Sequence, residues 1–204
     1  MNELFLTNDY LSDIFFNGDI KMKKNILIIG GSLRAKSFNK YLASNLIEIG
    51  HEKFNFEMFS DFNLLPHYNT DDHNQDNWPE TLLELQDKIK KADGVIFVTP
   101  EYNFSVPGYL KNCIDWISRL PNQPLDRKPV CIQSASLGPL GGARVQYHLR
   151  QILVFLNAKV MNKNELFVTF AKQKFDENSG KLTDAITIDF IRKQLDAFYI
   201  FIDE

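Results

Sequence analysis

Ser32, Arg34, Ser37 and Asn39 bring two hydroxyls, a guanidinium and an amide into one short stretch of chain. That donor set suits an anion, above all a phosphate monoester. The apolar run Ile26 to Ile29 just before it has no polar residue, as expected of a strand buried on both faces. Gly30 and Gly31 permit a sharp exit through positive backbone angles. The residues after Ser37 open a helix, whose first N–H groups face back into the turn. Taken alone, the stretch is equally compatible with a plain strand-to-helix turn carrying solvated polar residues.

Two further apolar runs end in loops of similar character. Val95 to Thr99 leads into Pro100-Glu101-Tyr102-Asn103-Phe104-Ser105-Val106-Pro107-Gly108. Pro100, Tyr102, Asn103 and Phe104 are suited to a planar ring, with backbone N–H groups for its heteroatoms. The run Val130 to Ile132 leads into 134–142, where Ser136, Gly138, Gly141 and Gly142 let backbone approach a ligand closely. The first loop lacks Gly-x-Gly-x-x-Gly and Gly-x4-Gly-Lys-Ser/Thr, so neither a dinucleotide nor a Walker-type site is supported. A hydroxyl-and-arginine loop on one phosphate suits a mononucleotide.

Other constellations are weaker. Asp71, Asp72 and His73 are adjacent and do not converge on one ion, so no metal site is expected. Cys113 and Arg119 have phosphatase-loop spacing, but Ile, Asp, Trp, Ile and Ser between them lie in a helical pattern. Cys113 reads instead as a small buried side chain. Glu101 reads as a ring-positioning or interface group rather than a catalytic acid, and His148 as an interface or packed histidine.

The elements that position these loops follow from periodicity. Helices are expected over 38–49 with Gly50 as C-cap, and over 80–91, 109–119, 143–156 and 186–201. Strands are expected at 53–59, with one polar side and so at an edge, and at 95–99, 129–134 and 158–161, with 166–168 extended. Alternation of strand and helix gives an α/β fold: a five-stranded parallel sheet with helices on both faces. Ligands in such sheets bind beyond the carboxyl ends of the strands, where the loops at 30–39, 100–108 and 134–142 all emerge.

The chain of 204 residues suits one sizeable domain. A net charge of −3 without a basic block argues against nucleic acid and anionic membrane as partners. Two cysteines are no disulfide framework, which points to a reducing cytoplasm. No apolar run approaches membrane-spanning length. Residues 1–22 read as a poorly ordered N-terminal extension. They lack the basic start and apolar core of a signal peptide.

Two long motifs make the reading specific. Gly31-Ser32-Leu33-Arg34-x-x-Ser37-Phe38-Asn39 is followed by Thr99-Pro100-Glu101-Tyr102-Asn103-x-Ser105-x-Pro107-Gly108 and Leu110-Lys111-Asn112-x-Ile114-Asp115-Trp116. With Gly141-Gly142-Ala143-Arg144, the chain over 23–204 resembles the NADPH-dependent FMN reductase family, in its bacterial chromate/quinone reductase branch. The resemblance implies a flavodoxin-like FMN-binding domain over 23–204 with noncovalent FMN. By matching positions, Ser32, Arg34, Ser37, Phe38 and Asn39 would hold the phosphate. Pro100, Glu101, Tyr102, Asn103 and Phe104 would line the ring, and Ser136 would sit near ribityl and ring. It implies hydride transfer from NAD(P)H to the flavin, then reduction of a quinone or similar small acceptor, such as free flavin, an azo compound or chromate. No side chain is required as obligatory acid or base. Phe104 departs from the branch, where tyrosine is common, so a hydroxyl is missing there. Arg144, Tyr147, Arg150 and Trp116 suggest a homodimer or homotetramer through helices 109–119 and 143–156. The competing class is a flavodoxin-type electron carrier that does not use NAD(P)H. Such carriers tend to be strongly acidic monomers.

Overall fold

The computed structural model describes residues 22–71 and 78–204. Residues 1–21 of the N-terminal extension, and Asp72 and His73 of the adjacent acid–histidine group, lie outside the described residues. Five parallel sheet positions run in the order β2-β1-β3-β4-β5. The strands are β1 Lys24–Gly30, β2 Phe54–Phe59, β3 Gly94–Val98, β4 Pro129–Ala135 and β5 Lys159–Val160. A sixth short segment, β6 Leu166–Val168, pairs with β4 beyond β5: Val130 faces Val160, and Ser134 faces Phe167. The extended segment at 166–168 is therefore the second half of an interrupted edge strand. Arg150 holds the interruption in place, donating from Nη1 to the Met161 carbonyl at 2.8 Å and to Asn162 Oδ1 at 3.2 Å.

Helices α1 Phe38–Gly50, α2 Glu80–Lys91, α3 Gly108–Ile117, α4 Ala143–Phe155 and α5 Ala185–Phe201 cover both faces. The apolar strands alternate inside a continuous hydrophobic run. Leu27, Ile29, Val95, Phe97, Val130 and Ile132 pack with Leu82, Leu85, Leu110, Ile114, Val145 and Leu149. Ile26, Ile28, Ile96, Val98 and Cys131 pack with Leu42, Leu46, Ile191, Leu195 and Phe198. Each fully buried large side chain contributes about 1.5–3 kcal/mol, so this two-sided core holds the sheet edge rigid where the loops leave it. Strand β2 is an edge, paired only with β1, as its polar side requires.

Three local expectations are corrected. Gly30 and Gly31 do not take positive φ; among the described glycines only Gly141, Gly142 and Gly180 do. Gly31 is needed for space, since a Cβ there would lie 3.1 Å from both Leu110 Cδ2 and Thr99 Oγ1. Gly50 is the last helical residue rather than a left-handed cap. Its Cβ would meet Phe56 Cζ at 2.9 Å and Leu195 Cδ1 at 3.0 Å, so α1 can end there only without a side chain. Trp116 is core, not interface: it is fully buried, and its Nε1 donates to the Pro66 carbonyl at 2.8 Å. Burying an indole N–H requires such a partner.

Candidate functional site

The loop after β1 is pinned at its root and open at its tip. Gly31 N donates to the Val98 carbonyl at 2.8 Å, and Tyr109 Oη donates to the Gly31 carbonyl at 3.0 Å. Burial, and then the neighbouring Tyr102, push the Tyr109 phenol well above its ordinary value, so it stays protonated as this donor. Ser32 and Ser37 are buried. Ser37 is the N-cap of α1, its Oγ accepting from Asn39 N at 3.2 Å. Arg34 is exposed and, among the described residues, has no ion-pair or hydrogen-bond partner. A free guanidinium beside a helix N-terminus and two buried hydroxyls is a donor set for a dianion.

Asn39 behaves differently. Its side chain faces away from the turn tip: Nδ2 donates to the Ala135 carbonyl at 2.9 Å, and Oδ1 accepts from Ala135 N at 2.9 Å. Phe38 is half-buried, its ring 6.0 Å from Tyr41 and 5.8 Å from Phe175.

The loop after β3 forms a tight hairpin. Tyr102 and Ser105 exchange backbone hydrogen bonds of 3.0 Å in both directions. The two residues between them have positive φ, 50° at Asn103 and 64° at Phe104. This is the type I′ arrangement, unusual for its phenylalanine, since a bulky side chain at positive φ stores strain of about 1–3 kcal/mol. The turn leaves Phe104 68% exposed, with the Arg144 guanidinium 4.1 Å from its ring centroid. Pro100 is buried. Glu101 points to α4: its Oε2 accepts from Val145 N at 3.1 Å, and Oε1 lies 3.5 Å from Arg144 Nη1. A carboxylate there satisfies a first-turn N–H and the positive end of the helix dipole. Ser105 Oγ and His148 Nδ1 are 2.8 Å apart, linking the same loop to α4.

The loop after β4 starts at Ser136, because Ser134 and Ala135 belong to the strand. Ser136 N donates to the Val168 carbonyl at 3.0 Å, and Ser136 Oγ lies 3.3 Å from the Gly138 carbonyl. Gly141 and Gly142 have φ of 58° and 86°. A Cβ on Gly142 would lie 2.6 Å from Ser134 Oγ, so the turn closes onto the strand below it.

A fourth segment was not anticipated. After β6, Phe170 takes a φ of 48° and its N–H donates to the Gly138 carbonyl at 3.2 Å, while Ala171 N donates to the Ser136 carbonyl at 2.9 Å. Phe170 is 44% exposed at the same sheet edge as Leu137, Leu140 and Tyr102. The only signal for it was the apolar run at 166–168, too short to show that a strand, and hence a strand-end loop, was present.

Ser32, Arg34 and Ser37 thus share the first turn, Pro100, Glu101, Tyr102, Asn103 and Phe104 the second, and Ser136 the third, all at the carboxyl edge of the sheet. Asn39 sits at that edge with its amide already engaged. Another opening, of about 1210 Å³, lies at the opposite edge among Lys23, Lys90, Lys91, Arg127 and Lys128. Lys90 and Lys91 lie in the last turn of α2, where lysines answer the negative end of the dipole, and Asp93, Asp203 and Glu204 line the same opening. That edge therefore needs no ligand to explain its charge.

The donor chemistry fits FMN. Phosphate-type donors stand at one loop, and aromatic, proline and backbone surface stands at the others. Among the described residues no group of three metal-ligating side chains occurs. No helix among them is long and apolar enough to cross a membrane.

Comparison with known proteins agrees. The family model for NADPH-dependent FMN reductase matches residues 24–173. A quinone reductase of Escherichia coli is 47% identical over 180 residues, covering 88% of this chain and 96% of that protein. An NAD(P)H-dependent FMN reductase of Pseudomonas aeruginosa is 40% identical over 177 residues, covering 87% and 94%. Among solved structures, a flavoenzyme NAD(P)H:(acceptor) oxidoreductase from Paracoccus denitrificans superposes with a TM-score of 0.80 at 32% identity, covering 88% and 97%.

Proposed function

The chain belongs to the NADPH-dependent FMN reductase family, and from that premise we propose that its reaction takes place at the carboxyl edge of the sheet, between its three strand-end loops. The fold is flavodoxin-like and the protein is an NAD(P)H-dependent oxidoreductase. Bound FMN supplies two-electron chemistry, taking hydride from the nicotinamide and passing the electrons to a quinone or similar small acceptor.

The observation that carries the site assignment is the Arg34 guanidinium, without a partner among the described residues and close in sequence to the α1 N-terminus, at the same edge as the strained 102–105 hairpin. In this reading Ser32, Arg34 and Ser37 hold the phosphate. The second loop supports the ring, with Pro100 beneath and Tyr102, Asn103 and Phe104 at its rim. Glu101 sets the spacing between that loop and α4 through Val145 N. Ser136 lines the third side. Tyr109 keeps the first and second loops together through the Gly31 carbonyl. The side chains bind, orient and exclude water, and none need carry a proton.

The same proposal includes a homo-oligomer. Helix α4 presents Tyr147, Val154 and Phe155 outward at 54%, 75% and 76% exposure, a helical stripe that a second copy would cover. Trp116, being buried, takes no part, and α3 offers half-exposed residues that include Lys111, Asn112 and Asp115. A cytoplasmic setting suits the two free, buried cysteines.

Purified protein tests the reading. It is expected to carry a flavin spectrum that bleaches anaerobically on adding NAD(P)H and recovers on adding a benzoquinone. A flavin that only a partner protein can reduce would identify an electron carrier instead. Light scattering before and after Phe155→Glu tests the oligomer, which the substitution should break.

A further inference from the structure

We propose that Asn39 is a positioning residue that acts through Ala135, rather than a ligand of the cofactor phosphate. The inference rests on the reading that the three loops hold FMN. Asn39 is 4% exposed, and both polar ends of its amide are spent on one backbone residue. Nδ2 donates to the Ala135 carbonyl and Oδ1 accepts from Ala135 N, each at 2.9 Å. Only one orientation of the amide satisfies both groups, so the pairing fixes its own geometry.

The two residues are 96 apart in the chain, and each is next to a loop of the site. Asn39 lies in the first turn of α1, directly behind the phosphate turn. Ala135 is the last residue of β4, directly before Ser136. Ala135 N is thereby tied to α1, whereas the next amide, Ser136 N, returns to the sheet at the Val168 carbonyl. The pair therefore sets the distance between the turn that receives the phosphate and the loop that faces ribityl and ring. An alanine at position 39 leaves a buried N–H and a buried carbonyl at the foot of the third loop without partners. Stranded groups of that kind are costly enough to displace backbone.

A phosphate ligand and a brace differ in which cofactor they affect. Dissociation constants are measured by fluorescence titration for FMN and for riboflavin, which lacks the phosphate. The proteins are wild type, Asn39→Ala, Asn39→Ser and Arg34→Ala, each checked for folding by circular dichroism. The brace predicts that Asn39→Ala raises both constants by the same factor, on the order of tenfold. Asn39→Ser, which keeps one of the two hydrogen bonds, raises both equally but less. It decides the question if the alanine variant does not fold. Arg34→Ala, the control, raises the FMN constant alone. A rise for FMN without riboflavin in the Asn39 variants would make Asn39 a phosphate ligand and overturn the inference while leaving the site assignment standing. A lower melting temperature with both constants unchanged would make it merely structural and also overturn it. Wild-type protein that binds neither flavin would remove the site assignment itself.

Discussion

Gly142 is the position where the third loop is most sharply determined. It is the N-cap of α4 at a φ of 86°, and a Cβ there would lie 2.6 Å from Ser134 Oγ and 2.7 Å from Ser134 Cβ. Ser134 cannot simply turn aside. It is fully buried; its hydroxyl donates to the Gly141 carbonyl at 2.7 Å and accepts from Gln146 Nε2 at 2.7 Å. Gly142→Ala therefore incurs two costs. A left-handed backbone with a Cβ costs about 1–2 kcal/mol. Breaking the hydroxyl's bonds and stranding their buried partners costs about 1–3 kcal/mol. A destabilisation of about 3 kcal/mol lowers the melting temperature of a chain this size by roughly 6–12 °C.

Thermal unfolding of flavin-free protein by circular dichroism reads this directly. Gly138→Ala is the internal comparison, since nothing lies within 4 Å of its added Cβ, and its melting temperature should barely move. Ser134→Gly combined with Gly142→Ala makes room for the methyl group, so the double variant should be more stable than the two single costs added together, by about 1 kcal/mol or more. A shift under about 2 °C for Gly142→Ala, or strict additivity in the double variant, would refute the reasoning.

Phe104→Gly should leave stability within about 1 kcal/mol, because relief of left-handed strain offsets the lost Arg144 stacking and the added chain freedom; Phe104→Val at the same φ should destabilise clearly in the same melt. Asp184 caps α5 by accepting from Thr187 N and Oγ1, and these bonds hold its carboxyl below the ordinary range. Its contribution is therefore complete above the unfolded carboxylate pKa of about 3.9 and lost as pH falls through the lower folded value. Asp184→Ala should cost about 1 kcal/mol near neutral pH and flatten part of the acid limb of a stability–pH curve. Burial pushes the Cys131 thiol up to about 12 and the Cys113 thiol higher still, so a disulfide reagent should titrate neither cysteine in the native protein and both in denaturant.

The layout of the fold was readable because its strands are apolar without interruption. Ile26 to Ile29 and Val95 to Val98 can only be buried on both faces, and that pattern alone places helices above and below. The position of the first loop was readable for the same reason, since it leaves the carboxyl end of such a strand; its hydroxyls and arginine gained a specific reading only beside the other two loops. Turn geometry was less accessible. Asn103 is an ordinary residue for a left-handed position, but Phe104 is not, and its φ of 64° depends on Tyr102 and Ser105 pairing across it. The part of Gly31 was read from backbone freedom, whereas the structure uses it for the space beside Thr99 and Leu110. Trp116 and Arg150 looked like surface residues because they share helices with exposed neighbours. Trp116 is buried and Arg150 half-buried through Pro66 and Met161, partners from segments whose placement no local pattern reveals. Asn39 is a similar case: the motif gives its amide as a ligand, and no local pattern shows that both its polar ends pair with Ala135.

The distribution of buried polar groups explains why the third loop in particular needed the structure. The buried positions in the lower halves of the inner strands carry only apolar side chains. The buried polar ones gather toward the carboxyl end, at Thr99, Gln133, Ser134, Gln146, Gln194 and Asn39. Gln133 Nε2 donates to Gln194 Oε1 at 2.6 Å, and Gln194 Nε2 donates to the Asn164 carbonyl at 2.6 Å; on the other face Gln146 Nε2 donates to the Leu166 carbonyl at 2.7 Å. Apolar packing at these positions would be more stable, because buried polar groups gain little net free energy even when fully paired, and Gln133 Oε1 and Gln146 Oε1 have no partner among the described residues. Apolar packing is non-directional, however, and tolerates small shifts of backbone. Paired amides and hydroxyls do not, because a displacement of a few tenths of an ångström strands a buried donor or acceptor. Placing them directly beneath Ser136 to Gly142 exchanges bulk stability for a fixed backbone where a cofactor ring must be met. The same logic accounts for the glycines above them: Gly142 brings that backbone down onto Ser134, and Gly141 onto Phe167, at distances no other residue permits.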